Sequence, residues 1–400
     1  MIELNNREQQ VLVACVRASL ECRQGEFDAN ALAGVIEGTV DWPALVQAAL
    51  DQGMLGILWY CSTLDRLEIF PADIREALAT FIQSQRAGNT ARTDKLLEVL
   101  GFLGDAGIRG APFKGSLLAE NAYGDIGMRS FWDLDFLVPE QDFDRAISLL
   151  EQRGFIDTMH PPDGYIFSSK QLAKLWRYWG QAALLRKSDQ LAIEPHVAVA
   201  PFTLALNYDD LWQRISLGPW RGVQTWQFEP EDQVLILCLQ GAKPYWDKIK
   251  LPADLAHFLV AHPQLDWEKI IRRATKHGIR RLLALALLMV ERLFALALPE
   301  MAVKLAHADA EAVRICDCLL HQGESFRYAS TDVYKLSRYH LETRERLSDK
   351  SKYLWRTIVL PSESYVKSVR LPDSLYWVYS LLKVANDGYL LIRGQLRRIF

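Results

Sequence analysis

A chain of 400 residues, 50% hydrophobic and 24% charged, carries enough apolar material for substantial cores in two or three domains. Its net charge of -3 and pI near 6.3 exclude a global basic field that would gather nucleic acid or a membrane surface. Of six cysteines only Cys316 and Cys318 are close in sequence, and no C-x-x-C pair exists. That spacing argues against a zinc site, and cysteines inside apolar helical stretches fit a reducing cytosol better than secretion.

Residues 1–8 lack the basic and apolar regions of a signal peptide, which predicts a cytoplasmic protein. Residues 1–100 read as an N-terminal helical region. Val11, Leu12, Cys15, Val16 and Leu20 form a helical stripe. Asp41-Trp42-Pro43 has the grammar of an N-cap with proline in the first turn, ahead of Leu45, Val46, Ala49 and Leu50. Pro71-Ala72-Asp73 opens a further helix running through Leu96, Leu97 and Leu100, and Gly107 ends the helical region.

The period then changes. Segments 111–113 and 133–138 read as short strands, and 143–150 as a helix ending near Gly154. Segments 182–186 and 191–197 flank Lys187-Ser188-Asp189-Gln190 as the arms of a hairpin. The block 101–215 is therefore predicted to be α+β. From 216 to 400 the chain reads as a C-terminal helical region, with helices at 232–241, 252–261 and 266–298. The most apolar stretch, 282–290, stops at Glu291-Arg292 and is too short to span a bilayer. Asp41-Trp42 and Asp266-Trp267 open similar patterns that close at Gly53 and Gly278. A duplicated unit and the shared grammar of capped helices both account for them.

The chemistry-bearing stretch is Lys114-Gly115-Ser116, then Arg129, then Asp133-Leu134-Asp135-Phe136-Leu137-Val138. Leu134, Phe136 and Val138 alternate as in a half-buried strand, which places Asp133 and Asp135 on one face. Two neighbouring carboxylates are costly to bury without a cation between them, and a divalent metal with oxygen ligands meets that need. The glycine turn can hold phosphate oxygens through backbone N–H groups, or be an ordinary tight turn with an exposed lysine. Arg129 can grip a phosphate, pair with the acidic cluster, or form a structural salt bridge. Further on, Glu194 and His196 share a strand face, so Glu194 can complete a carboxylate triad. His196 is either an accessory residue or a packed structural histidine. Pro195 between them lacks a ladder donor and is expected to confine the segment to a sheet edge or a bulge.

This combination resembles the nucleotidyltransferase superfamily of the DNA polymerase β type, whose pattern is h-G-[G/S], D-h-[D/E]-h and a later acidic residue on a strand. In particular it resembles a bacterial branch of uncharacterised nucleotidyltransferases, with a lysine–glycine turn, an upstream arginine, D-h-D-h-L-V and E-h-H. Those positions here are Lys114-Gly115, Arg129, Asp133 to Val138, and Glu194-Pro195-His196. The resemblance implies a small mixed β-sheet, polymerase β-like core flanked by N-terminal and C-terminal helical domains. It implies metal-dependent transfer of an NMP from an NTP to an acceptor, with pyrophosphate leaving. Asp133 and Asp135 would hold Mg²⁺ or Mn²⁺. Glu194 would hold the nucleophile-side metal and help deprotonate the acceptor hydroxyl. Gly115 and Ser116 would orient the triphosphate, and Lys114 and Arg129 would neutralise it. Gln240 and Pro244 stand where relatives often carry histidines, leaving Lys243, Trp246 and Lys248 as candidates for nucleotide contact. Phe131-Trp132 is bulkier than the small residue common before the first aspartate. The acceptor stays open between a small molecule, a peptide, a sugar and an RNA end.

Two rivals belong to other classes. A glycosyltransferase using Asp133-x-Asp135 to chelate Mn²⁺ on a nucleotide-sugar explains the D-x-D but not Lys114-Gly115-Ser116 or Glu194. A non-catalytic or toxin–antitoxin-type component would keep the fold without turnover. The cluster Arg272, Arg273, Lys276, His277, Arg280 and Arg281 reads as a solvated helix face or a polyanion site. The basic amphipathic tail 390–400 reads as a packed helix or a membrane-touching one. Replacing Asp135 by Asn is expected to relieve like-charge repulsion, so that thermal stability holds or rises.

Overall fold

The computed structural model describes residues 6–36, 40–64, 69–158, 167–200, 206–321 and 338–392; residues 393–400 of the basic tail lie outside the described residues. Five short strands form a mixed sheet: β1 (Ala111–Pro112), β2 (Leu134–Leu137), β3 (Phe155–Asp157), β4 (Leu184–Arg186) and β5 (Leu191–His196). Their order is β1-β2-β5-β4-β3. The β2–β5 pair is parallel and sets Asp135 opposite Glu194; the other pairs are antiparallel. β4 and β5 form the expected hairpin. β3 is only three residues long, too short for a period to register in the sequence.

Pro195 departs from expectation, because β5 is a central strand and not an edge. The two sides of β5 explain how it is tolerated. In extended backbone the N–H and C=O of one residue point to the same side. The Pro195 carbonyl accepts from Ala182 N (3.0 Å), so the missing N–H also points away from β2. On that side β4 has already ended, and only a single Gln181–His196 bridge remains. On the other side His196 O accepts from Val138 N (2.8 Å), and the β2 ladder is intact. No ladder bond is lost where pairing is needed.

The sheet lies between two cores. Leu134, Phe136, Val138 and Ile193 pack with Leu96, Val99 and Leu103 of the helix Ala72–Asp105 and with Phe143 and Leu150. Leu137 belongs to the other core, where Val11, Leu12 and Cys15 of the first helix, Arg7–Gln24, join Leu283, Leu285 and Leu287 of Arg280–Phe294. The helices before and after the sheet thus share one apolar interior, each fully buried Leu contributing roughly 1.5–3 kcal/mol. Because strand side chains alternate, Asp135 and Leu137 face this largely helical core and not the one beneath Phe136.

Helix ends follow local chemistry. Asp41 and Asp266 each cap a helix through the N–H three residues on, and Gly53 and Gly278 each close one with φ near +70°. The similarity of the two segments is matched by identical capping. The αL glycine at 278 also breaks the expected 266–298 helix into Trp267–His277 and Arg280–Phe294. A second correction concerns the start of the C-terminal region. Residues 216–227 form a hairpin of β6 (Ser216–Trp220) and β7 (Val223–Gln227), turned by Arg221 and Gly222 at φ 50° and 82°. Two consecutive positive-φ residues make the tight turn that matches strand twist. Among the described residues no helix is long and apolar enough to cross a membrane.

Candidate functional site

The parallel register of β2 and β5 creates the site. Asp135, 3% exposed, offers Oδ1 to Lys114 Nζ (3.0 Å) and to His196 Nε2 (2.8 Å). His196 Nε2 also lies 3.6 Å from Glu194 Oε2, which accepts from Gln181 Nε2. One ligand atom each of Asp135, Glu194 and His196 falls within 4.8 Å of the others, a spacing that can hold a metal ion. Asp133 is outside this group. The chain bends at Asp133, just ahead of β2, and leaves its carboxylate half-buried at the rim.

Electrostatics separates the two aspartates. Burial works against the Asp135 carboxylate, but Lys114 and His196 outweigh it and hold the group below the usual carboxylate range. At Asp133 burial adds to repulsion from Asp135 and Glu194; Lys114 and a backbone hydrogen bond oppose them without prevailing, and the pKa rises. Burial alone would lower the His196 pKa; the bonds to Asp135 and Glu194 raise it instead. Its Nδ1 faces Ala198 O (3.2 Å), so both ring nitrogens meet oxygen acceptors and both are satisfied as donors in the imidazolium. Lys243 stands near the same carboxylates, and among the described residues it makes no hydrogen bond or ion pair. Burial, then Lys114, pulls its pKa down to about 8.

The turn at Lys114-Gly115-Ser116 abuts the start of β2. Gly115 sits at φ +55°, where an added Cβ would meet the Phe131 ring at 3.6 Å and Asp133 O at 3.7 Å. Behind it Ser116 Oγ is fully buried and, among the described residues, has no hydrogen-bond partner, an orphan polar atom at the head of the turn.

The loop 124–132 that leads into β2 is fastened from both helical flanks. Asn89 donates to the carbonyls of Ile126 (2.8 Å) and Arg129 (3.0 Å), and Gln85 to that of Gly127 (2.6 Å). From the other side Lys250 donates to Ser130 O (2.6 Å). A Cβ on Gly56 would lie 2.1 Å from Met128 O, so the neighbouring helix Leu55–Leu64 touches this loop backbone to backbone. Arg129 is buried and donates from Nε and Nη2 to Asp254, each bond 3.1 Å, while Tyr123 donates to the same carboxylate at 2.8 Å.

The residues 38–295 match the family described as uncharacterised nucleotidyltransferase. The chain belongs to that family. No curated protein matches it.

For this nucleotidyltransferase the structure brings Lys114, Asp135, Glu194 and His196 together and sets Asp133 and Lys243 near them. It corrects other expectations. The Nε and Nη2 donors of Arg129 are taken by Asp254 and do not point freely at a ligand. Trp246 is 2% exposed, packed where a Cβ on Gly241 would lie 2.2 Å from its ring, so it cannot stack on a base. Lys248 is exposed, and Gln240 holds the Val199 carbonyl. The basic segment is largely neutralised from within: Arg273 pairs with Glu229 and Asp232, Lys276 with Asp210, and Arg281 with Asp309.

Sequence reading missed Gln181, Lys250, Asp254 and Tyr123. A signal for Asp254 was present: a carboxylate inside the apolar run Leu251-Pro252-Ala253-Asp254-Leu255-Ala256 needs a buried partner. Lys250, one turn earlier, is half-buried beside Arg129. Burial, then that charge, lowers its pKa to about 7.

Proposed function

We propose that this nucleotidyltransferase moves a nucleoside monophosphate from an NTP to an acceptor hydroxyl, with pyrophosphate leaving, at the β2–β5 carboxylates. The observation that carries the reading is the Asp135–Glu194 pair, held side by side by a parallel register and only partly neutralised. A divalent metal fits this donor set on the structure's own terms. Asp135 already binds two cationic groups, and burial, then the negative charge of Asp135 and Glu194, raises the Asp133 pKa even with Lys114 nearby. Mg²⁺ or Mn²⁺, held by Asp135 and Glu194 with Asp133 at the rim, would supply charge neutralisation and alignment of the attacking and leaving oxygens.

The chain's own groups supply the rest. Lys114 is poised between Asp135 and the turn, where its ammonium can pass from carboxylate to phosphate. Gly115 lets the backbone approach the phosphates closely, and the orphan Ser116 Oγ is available as a donor. Lys243 offers a second cation, one that makes no ion pair among the described residues. Glu194, fixed by Gln181, is placed to accept the acceptor's hydroxyl proton. His196 orients Asp135 and acts as a positioning residue. Arg129 and Lys248 take no direct part in this scheme.

Incubating the chain with Mg²⁺ and each NTP in the presence of candidate small-molecule, peptide, sugar and RNA acceptors tests the proposal. The expected result is pyrophosphate release coupled to a mass increase of one NMP on an acceptor. UDP released from UDP-sugars, with no pyrophosphate from any NTP, would move the site to the glycosyltransferase class.

A further inference from the structure

Trp132 is 77% exposed, far more than any other large apolar side chain described between residues 101 and 200. Single exposed apolar residues are ordinary, but this one has three unusual companions. It immediately precedes Asp133, at the bend where the chain enters β2. The guanidinium of Arg92, from the helix Ala72–Asp105, lies over its ring at 4.7 Å from the centroid. With so much of the residue exposed, the face away from Arg92 is open. The backbone beneath is immobilised as well: Asn89 holds Arg129 O, Lys250 holds Ser130 O, and Phe131 is buried beside Gly115. Arg92 is itself steadied by Asn89 Oδ1 at 3.3 Å. The indole is thus a rigid plane with a cation behind it, and little ordering entropy is left to lose when something stacks on it.

We propose that Trp132, backed by Arg92, is the stacking surface for the base of the nucleotide whose phosphates enter at Lys114-Gly115-Ser116. This rests on the nucleotidyltransfer reading and adds what recognises the nucleoside part. A planar π-system is the ligand chemistry that a bare indole face selects, and stacking tolerates any of the four bases. The site then divides its labour: carboxylates and lysines take the phosphates, and the lip formed by Trp132 takes the base.

Calorimetric titration of ATP, GTP, CTP and UTP with Mg²⁺, alongside inorganic tripolyphosphate, tests the proposal on the full chain. Trp132→Ala is expected to weaken binding of the preferred NTP roughly tenfold, the usual worth of one base–aromatic stack, and to leave tripolyphosphate affinity unchanged. Trp132→Phe is expected to recover most of the loss, and Arg92→Gln to show a smaller loss of the same kind. Unchanged affinity of Trp132→Ala for all four NTPs overturns the stacking role and leaves the phosphate site standing. Equal losses for NTP and tripolyphosphate overturn it too, since the indole then acts through the fold. Wild-type chain that binds neither NTP nor tripolyphosphate overturns both this proposal and the reading beneath it.

Discussion

Two charged clusters of this protein invite opposite interpretations. Around Asp210 and Asp232 the carboxylates meet Arg214, Arg273 and Lys276 at 2.6–3.0 Å. Lys276 and then Arg214 pull the Asp210 pKa down to about 2, and Arg214 is raised in return. Charge here is consumed internally. Around Asp135 the balance is incomplete: Asp133 is raised by burial and its acidic neighbours, and among the described residues Lys243 makes no ion pair. Both clusters look alike as runs of charged letters. What distinguishes a site from a scaffold is leftover charge, because leftover charge is what a ligand can neutralise.

The largest expected effect falls on chemistry. Asp135→Asn is expected to cut NTP-dependent transfer by at least about 10²–10³-fold, the scale of losing one electrostatic contact to a developing charge. A pyrophosphate-release assay checks it, and near-normal turnover would reduce the cluster to a second scaffold. Lys276→Ala, on the scaffold side, is expected to leave turnover intact.

Next comes the buried pair that ties loop 124–132 to the helix Lys250–Ala261. Asp254→Ala strands Arg129 and Tyr123 without their carboxylate and is expected to cost about 3–5 kcal/mol of stability. Denaturant unfolding reads this directly. Arg129→Ala is expected to fall in the same range, in contrast to a phosphate contact, which would weaken nucleotide binding and spare the fold.

The two site aspartates are expected to diverge in stability. Asp135 has a depressed pKa, so its contribution is present above the ordinary value of 3.8 and lost as pH falls below it. Asp135→Asn is therefore expected to lose about 1.5–3 kcal/mol at neutral pH, the range for hydrogen bonds to a charged group. This reverses the expectation from the sequence alone, which saw only crowded like charges. Asp133 carries the repulsion instead. Its raised pKa means that folding is penalised once pH rises past 3.8, so Asp133→Asn is expected to hold or raise the melting temperature at neutral pH. The difference from wild type is expected to vanish below pH 3.8. Melting curves of both variants across that range check the divergence.

The smallest effect is expected at Lys276, 59% exposed as a side chain. Lys276→Ala is expected to change stability by no more than about 1 kcal/mol and less at high salt, as for exposed ion pairs generally.

Local chemistry determined much of this protein from sequence alone. The caps at Asp41 and Asp266, the strand carrying Asp135, the β4–β5 hairpin and the glycine turn at Lys114-Gly115-Ser116 all follow from short-range rules, and the structure contains each of them. The convergence of Asp135 and Glu194 was also readable, through shared strand faces. Pairing partners across the chain were not. Which strand lies beside β5 decides whether Pro195 costs a ladder bond, and no local pattern encodes that order. Arg129 looked like a phosphate clamp until a helix more than a hundred residues away placed Asp254 against it. Trp246 looked like a base platform until Gly241 made room to bury it. Sequence periodicity specifies which face of an element a side chain occupies. Whether that face meets a partner, a core or water is decided by packing between distant elements, and the sign of every charge balance at the site depends on that packing.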